Sequence, residues 1–174
     1  MALAGCLCMA AQADVTVGVD PSEAWLGYMT VFDLPQNGGG YQFEGGWGTA
    51  DLVATFDATT LSLSPNTIGD PADYWYTPSG GPGSVGNKIM NAAMYVEIGS
   101  LPGETLIFSG NVLSDTLTLA NNPLNVDANG NGWTSTIFIK DFAPDYSSFE
   151  ITSIPVTAGA FSISLDTIND PARH

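Results

Sequence analysis

The sequence predicts an all-β fold, a two-sheet antiparallel β-sandwich of jelly-roll-like type. Short runs of alternating apolar and polar residues are bounded by Gly, Pro, Asn and Asp, which is typical of strands joined by turns. Helical signals are weak. The one stretch with a helix-like composition, residues 88–98, carries apolar side chains at every second position, so we predict a strand there too.

The strand predictions rest on alternation along the chain. In the clearest case Phe161, Ile163 and Leu165 alternate with polar residues. A sheet with one face on a core and the other in water explains that pattern. The strands indicated by this and by weaker patterns are residues 14–19, 25–34, 51–57, 60–64, 74–77, 88–98, 104–113, 116–120, 133–140, 149–156 and 161–166.

Two Gly-rich segments, residues 35–48 and 77–87, are predicted to be loops longer than a hairpin needs. Loops of this length often carry function. The alternative, which we favour, is that both are plain surface crossovers between the sheets.

Residues 61–72 and 161–172 resemble each other, with seven of twelve positions identical. We predict two equivalent corners from strand to loop, in which Asp70-Pro71 and Asp170-Pro171 set the turn. Chance similarity of two strand ends is an equal alternative, because no longer period supports a true repeat. The second copy stops at His174, so we expect the natural chain to continue and its last strand to be missing here.

The first thirteen residues are uncharged and end in Ala11-Gln12-Ala13, the small-x-small pattern of a signal-peptidase site. We interpret residues 1–13 as the remnant of a secretory signal peptide and residues 14–174 as a single β-sandwich domain, truncated at its C-terminus. A buried N-terminal strand or helix is the alternative. Lipidation at Cys6 is a lesser option, because apolar residues continue beyond it.

Both cysteines, Cys6 and Cys8, lie inside this N-terminal segment. The mature chain would therefore contain neither a disulfide nor a Cys-ligated metal. No later stretch is apolar over the length needed to span a membrane. We predict a secreted, extracellular protein, and attachment to the cell surface is left open.

The chain carries 18 Asp and Glu against 3 Lys and Arg, a formal net charge of −15. Nucleic-acid and anionic-membrane partners are excluded by this balance, because phosphate binding needs clustered cations. Only 12% of residues are charged, against about 25% in an average domain. Uncharged polar residues and Gly must therefore cover much of the surface, as in many secreted β-proteins.

Catalysis is not predicted. The sole histidine, His174, is the last residue, so neither a Ser-His-Asp triad nor a His-ligated metal site can readily be built. A glycosidase needs only two carboxylates, and this route is the remaining enzyme alternative. Its candidate residues are Glu44, Glu97, Glu104 and Glu150.

Asp127, Asn129 and Asn131 have the alternate spacing of oxygen ligands at the start of a calcium loop. An EF-hand would need Glu at the twelfth position, where Phe138 stands, so the sequence excludes an EF-hand. A calcium site in a loop between strands is the remaining option. The alternative, which we favour, is a hairpin connection whose Asn-Gly pairs supply positive φ angles.

Aromatic residues near the Gly-rich segments suggest carbohydrate binding. Sugar rings present apolar C–H faces that stack on exposed aromatic rings, while Asp, Asn and Gln bind hydroxyl groups. The alternative is that most of these rings fill the core. The candidate ligand-binding residues are Tyr41, Trp47, Tyr74, Trp75 and Tyr76.

Four segments of the chain resemble a known family: residues 25–40 (WLGYMTVFDLPQNGGG), 46–52 (GWGTADL), 86–90 (GNKIM) and 138–142 (FIKDF). The chain resembles an uncharacterised family of secreted bacterial β-sandwich proteins that often end in a sorting tail of the PEP-CTERM type. The resemblance covers residue 14 to the end and implies a secreted β-sandwich. It implies no activity and no catalytic residue.

These observations predict a secreted, non-enzymatic β-sandwich module that binds polysaccharide or mediates adhesion, with calcium as a conceivable support. A purely structural surface or matrix protein without a small ligand is one alternative. A glycoside-active enzyme with paired carboxylates is the other.

Overall fold

The computed structural model describes residues 14–65, 69–76, 86–117 and 134–174. Within these residues the chain is 50% strand and 5% helical, which confirms the predicted all-β class. The predicted signal segment, residues 1–13, lies outside the described residues.

The described strands number ten and are accompanied by two short 3-10 turns at Pro35–Asn37 and Asp73–Trp75. The strands are β1 Asp14–Val17, β2 Leu26–Asp33, β3 Tyr41–Trp47, β4 Ala54–Asp57, β5 Thr60–Leu63, β6 Lys88–Tyr95, β7 Thr105–Val112, β8 Thr136–Phe142, β9 Phe149–Pro155 and β10 Gly159–Asp166.

Strand pairing divides these elements into four groups. Sheet A has the order β1-β7-β10 and sheet B the order β3-β2-β6, while β4–β5 form hairpin C and β8–β9 form hairpin D. Every pairing is antiparallel except that of β1 with β7, which is parallel. The jelly-roll connectivity stays a prediction.

Three expectations from the sequence need correction or stay open. Residues 35–48 are not all loop, because β3 occupies most of the second half of that segment. Residues 74–77 do not begin a strand, because the chain makes a 3-10 turn at Asp73–Trp75. Residues 116 and 117, the start of the predicted strand 116–120, do not form a strand. The other residues of that predicted strand lie outside the described residues.

Sheet A follows the alternation that predicts it. Leu165 and Ile163 of β10 lie opposite Leu106 and Phe108 of β7 and share the inward face, where Ile163 is buried. On the opposite face, Ser162, Ser164 and Asp166 of β10 are exposed, whereas Ile107 and Ser109 of β7 are half-buried. This arrangement removes one apolar face from water, which is the main stabilising contribution to a sheet of this kind.

A glycine in sheet A makes room for an aromatic ring. Gly110 lies directly opposite Phe161, and a Cβ at Gly110 would stand only 2.8 Å from that ring. The Phe161 ring also meets Phe108 edge-on, with centroids 5.2 Å apart. The ring therefore occupies the space of the missing side chain and restores packing that glycine alone would lose.

Sheet B is built around β2, whose Met29 and Val31 are 1% and 0% exposed. The prediction of a strand rather than a helix at 88–98 is confirmed by β6, which places Ala92 opposite Met29 and Met90 opposite Val31. One face of the sheet therefore contributes to the core.

Hairpin D is fastened to the C-terminal segment by a buried ion pair. The Asp141 carboxylate, 4% exposed, accepts hydrogen bonds from Arg173 Nε and from the Ile168 backbone N–H, both at 2.9 Å. The Arg173 guanidinium also donates to the Asp141 carbonyl oxygen at 2.7 Å. Both charges and both carboxylate oxygens are thus satisfied, as burial requires. We call this contact the Asp141 clasp.

The Asp-Pro corners have the predicted turn chemistry. Asp70 Oδ1 accepts the Ala72 backbone N–H at 2.8 Å, and Asp170 Oδ1 accepts the Ala172 N–H at 3.0 Å. The same bond links Asp20 to the Ser22 N–H at 2.8 Å. These are Asx turns, in which the side chain of Asp imitates a backbone turn. They confirm that the two resembling segments end in equivalent corners.

Candidate functional site

Three aromatic rings meet at the edge of sheet B and define what we call the Trp75 cluster: Phe43, Tyr74 and Trp75. Phe43 lies opposite Val31 in the strand register and so shares its face of the sheet. The 3-10 turn brings Tyr74 and Trp75 onto Phe43, with centroids 6.3 and 6.1 Å from its ring. Two segments that are far apart in sequence therefore form one surface.

The turn that carries Tyr74 and Trp75 is held by hydrogen bonds at both ends. The Trp75 indole N–H donates to Asp70 Oδ2 at 3.0 Å, and its backbone N–H donates to the Ala72 carbonyl oxygen at 3.1 Å. The Trp75 carbonyl oxygen accepts the Asn87 backbone N–H at 2.8 Å. The Asp-Pro corner therefore fixes the ring in place before any ligand arrives.

A closed polar network lies beside the rings. Lys88 Nζ is 2.9 Å from Asp33 Oδ1, and Gln42 Nε2 donates to Asp33 Oδ2 at 2.6 Å. The Tyr74 hydroxyl donates to Gln42 Oε1 at 3.3 Å, while Lys88 Nζ lies 4.5 Å from the centre of the Tyr74 ring. The cation thus contacts both the carboxylate and the ring face, so the ring is restrained from two sides.

Two amide side chains extend this network. Asn37 Nδ2 donates to Asn87 Oδ1 at 3.1 Å, and Asn87 Nδ2 reaches the Tyr74 carbonyl oxygen at 3.4 Å. Amide and carboxylate groups of this kind can exchange hydrogen bonds with hydroxyl groups of a ligand. The surface therefore combines apolar ring area with polar groups that fix orientation, which is the composition of small-molecule sites.

The rings of the Trp75 cluster do not form a flat platform. Phe43 meets Tyr74 at 38° and Trp75 at 72°, and Tyr74 meets Trp75 at 88°. Phe43 and Tyr74 each keep 39% of their surface exposed. A ligand could contact these rings one at a time from different directions. That geometry fits a single flexible chain better than a flat crystalline surface.

A second aromatic surface lies at the other end of β3. Two shallow depressions of about 320 and 360 Å³ adjoin there, and both are lined by Trp25 and Thr49. Phe56 contributes to one depression, and Trp47 and Tyr95 contribute to the other. We call this surface the Trp25 groove. Its volume lies at the lower end of the range for ligand sites.

The predicted ligand-binding residues fall into four places. Tyr74 and Trp75 come together, and Trp47 lies on the same strand as their partner Phe43 but lines the Trp25 groove. Tyr41 is exposed and packs its edge on Phe32, with ring centroids 6.2 Å apart. Tyr76 is half-buried and forms an isolated bridge with Gly86.

Tyr41 does not share the face of the Trp75 cluster. It pairs with Phe32, which follows Val31 in β2 and so points to the opposite side of sheet B. The register shifts between Val31 and Phe32, so Tyr41 and Phe43 lie on different faces although they are two residues apart on β3. Phe43, by contrast, is missing from the residues that the sequence singles out. Phe43 is missed at the sequence level because the Gly-rich segment 35–48 is predicted to be a loop. The aromatic residues Tyr41, Phe43 and Trp47, spaced at even intervals, are the signal that could have indicated a strand.

The predicted calcium ligands Asp127, Asn129 and Asn131 lie outside the described residues. In the described ranges no group of three or more His, Cys, Asp or Glu side chains is placed to hold a metal ion. Calcium therefore stays a prediction from the sequence.

Of the carboxylates of the glycosidase alternative, Glu44 lies on β3 and Glu150 on β9, whereas Glu97 and Glu104 lie outside the strands. Glu150 lies opposite Asp141 on hairpin D, but both Asp141 oxygens already bind Arg173 and Ile168. Glu44 lies on β3 near Tyr28, where burial and the Glu44 charge raise the pKa of the Tyr28 hydroxyl. These contacts give Asp141 and Glu44 structural roles in the folded chain.

Comparison with models of known protein families, with curated proteins and with solved structures found no match to this chain. No helix in the described part of the chain has the length and apolar character to cross a membrane. The functional interpretation therefore depends on the residues themselves.

Proposed function

We propose that this protein is a secreted, non-enzymatic module that binds an uncharged polysaccharide in an extracellular or cell-surface matrix. The Trp75 cluster is the observation that carries this proposal. Its half-exposed rings stand next to the network of Asp33, Gln42 and Lys88. A sugar offers matching groups, because its C–H faces are apolar and its hydroxyl groups are both donors and acceptors.

The restraint of the rings supports binding rather than simple packing. The Tyr74 hydroxyl donates a hydrogen bond to Gln42 and the Trp75 indole N–H donates one to Asp70, so little side-chain freedom would be lost when a ligand arrives. A preorganised surface keeps more of its interaction energy as affinity. Burial of part of an aromatic ring adds about 25 cal/mol for each Å² removed from water.

Charge limits the class of polysaccharide. The chain has a net charge of −15, and Asp33, Asp70 and Asp73 lie in or beside the Trp75 cluster. Carboxylated or sulfated glycans would meet repulsion there, whereas neutral glycans would not. We therefore expect neutral polysaccharides to bind most tightly and polyanionic ones most weakly.

The test is a binding panel of soluble neutral glycans (laminarin, xylan, glucomannan) and anionic ones (alginate, pectate), measured by calorimetry. We expect at least one neutral glycan to bind and the anionic ones to fail. Tyr74→Ala should weaken that binding at least tenfold, or about 1.4 kcal/mol. Binding of the unaltered protein to anionic glycans alone, or to none, would refute the proposal.

Tyr146→Ala is the matched control. Tyr146 is 52% exposed and lies on hairpin D, where its ring stacks on His174 with centroids 4.9 Å apart. Its removal takes away the same side chain from a different surface. We expect glycan affinity to stay within twofold of that of the unaltered protein.

A structural matrix protein is the second candidate, and exposed apolar residues on hairpin D favour it. Phe149 and Ile151 are 45% and 48% exposed, next to Tyr146. If this surface assembles copies of the chain, sedimentation will show association that rises with concentration and is lost in Ile151→Asp. Glycan binding and self-association are thus separate measurements on separate surfaces.

A further inference from the structure

Two tryptophans in the chain are presented by the same kind of corner. Asp20-Pro21 precedes Trp25 and Asp70-Pro71 precedes Trp75, each with the spacing Asp-Pro-x-x-x-Trp. In both corners the indole N–H donates to the Asp five residues earlier. Trp25 donates to the Asp20 backbone oxygen at 2.7 Å, and Trp75 donates to the Asp70 carboxylate at 3.0 Å.

This hydrogen bond determines what each tryptophan can offer a ligand. The single polar atom of the indole is already satisfied, so the apolar ring is what remains available. The bond also holds the ring at a fixed angle to the corner. Two corners with the same construction therefore give the molecule two preorganised aromatic subsites, one in the Trp25 groove and one in the Trp75 cluster.

Both subsites are reached from one face of β3. Trp47 lies opposite Gly27 and Phe43 lies opposite Val31, so the two aromatic side chains leave the strand on the same side, which is the side where β2 buries Val31. Because β3 is an edge strand, Phe43 stays 39% exposed there. Trp47 is the fourth residue after Phe43, a step that corresponds to about 13 Å along a strand. Trp47 lines the Trp25 groove, and Phe43 belongs to the Trp75 cluster.

Gly45 lies between these two rings, and no described residue fills the space beside it. A Cβ built there would meet no atom of the described residues within 4 Å, and Gly45 does not have a positive φ. Gly27 differs, because a Cβ there would stand 2.4 Å from the Trp47 carbonyl oxygen. Sheet packing thus requires glycine at Gly27, whereas the described structure does not require it at Gly45.

A glycine inside a strand weakens the strand and often marks a bulge, a bend, or the close approach of a ligand or another backbone. We propose that one neutral polysaccharide chain lies along β3, contacts the Trp75 cluster and the Trp25 groove together, and passes over Gly45. This inference rests on the proposed function and extends it from one binding surface to a continuous path. Its ligand is an extended, uncharged glycan rather than a short sugar.

The test compares short and long oligosaccharides prepared from laminarin, xylan and glucomannan, from the disaccharide to the octasaccharide, by calorimetry. For the unaltered protein we expect affinity to rise at least tenfold once the oligosaccharide can reach both subsites. Gly45→Val should abolish that rise. Trp47→Ala should have the same effect.

Folding of the variants is checked by thermal denaturation. Valine favours strands and meets open space at Gly45, so the melting temperature of Gly45→Val should equal or exceed that of the unaltered protein. Ser162→Val, on the exposed face of sheet A, is the control and should keep the length dependence.

Each outcome distinguishes the two proposals. If the unaltered protein binds long and short oligosaccharides equally, or if folded Gly45→Val keeps the length dependence, the continuous path is refuted while polysaccharide binding stands. If the unaltered protein binds no neutral glycan of any length, both proposals fail. Precipitation of the long chains by the protein would indicate two independent sites and would also refute the single path.

Discussion

Sheet A and sheet B are built by the same rule but differ in what they leave exposed. In sheet A, β10 turns Ile163 inward and the polar residues Ser162, Ser164 and Asp166 outward. Sheet B also buries one face of its central strand β2, yet its edge strand β3 leaves Tyr41 59% and Phe43 39% exposed. Because exposed rings contribute little to folding, the difference separates a surface that stabilises the molecule from one available to a ligand.

The ion pairs of the molecule show the same contrast. In the Asp141 clasp, Arg173 closes a buried contact between hairpin D and the C-terminal segment. In the Trp75 cluster, Lys88 pairs with Asp33 but also lies over the Tyr74 ring. The first pair joins two parts of the fold. The second sets the position of an exposed aromatic side chain.

The largest expected effect comes from breaking the Asp141 clasp. Arg173→Ala leaves the 4%-exposed Asp141 carboxylate without its cation, which costs about 3–5 kcal/mol of unfolding free energy for a buried pair. Chemical denaturation measures this loss. Glycan affinity of the remaining folded protein should not change. An unfolding free energy within 1 kcal/mol of that of the unaltered protein would contradict the role of the clasp.

The next effect compares one apolar residue from each sheet. Ile163→Ala removes a buried side chain from sheet A and should cost about 2–5 kcal/mol of stability with no loss of glycan affinity. Phe43→Ala removes a half-exposed ring from sheet B and should cost less stability but at least tenfold in affinity. Chemical denaturation gives the stability of each variant, and calorimetry gives its glycan affinity. A large loss of glycan affinity in Ile163→Ala would contradict the assignment of stability to sheet A and of ligand binding to sheet B.

The smallest effect concerns the acid stability of two exposed turns. Hydrogen bonds from Ser22 lower the pKa of Asp20, and those from Ser147 lower the pKa of Asp145, both from 3.8. A carboxyl whose pKa is lower in the folded state stabilises the fold above pH 3.8, and that contribution is lost as the pH falls through the folded-state pKa.

Ser22→Ala and Ser147→Ala remove the larger of these hydrogen bonds from each turn. Each variant should therefore lose less stability than the unaltered protein when the pH is lowered below about 4. Thermal denaturation at a series of pH values measures the difference. A steeper loss in either variant would show that its turn does not stabilise the carboxylate.

The parts of the fold that could be predicted are those with clean alternation. Residues 161–166 form a strand as predicted, because burial of one face imposes a period of two. The strand β3 was missed because Gly45 and Gly46 interrupt its pattern and resemble a loop. Its extended form comes from pairing with β2, a contact that the local sequence does not reveal.

The candidate site was predicted only in part for the same reason. Tyr74 and Trp75 were identified as aromatic residues, but the partner ring, Phe43, depends on the strand that was missed. The repeated Asp-Pro-x-x-x-Trp spacing was readable in the sequence. The structural role of this spacing could not be predicted, because only the structure shows that each indole N–H donates a hydrogen bond to the Asp five residues earlier.

The central claim is that the Trp75 cluster binds a neutral polysaccharide. Calorimetric titration of laminarin, xylan and glucomannan into the unaltered protein, Tyr74→Ala and Tyr146→Ala tests it most directly. We expect one of these glycans to bind the unaltered protein and Tyr146→Ala alike, and to bind Tyr74→Ala at least tenfold more weakly. Equal affinity of all three proteins, or no binding by any of them, would contradict the claim.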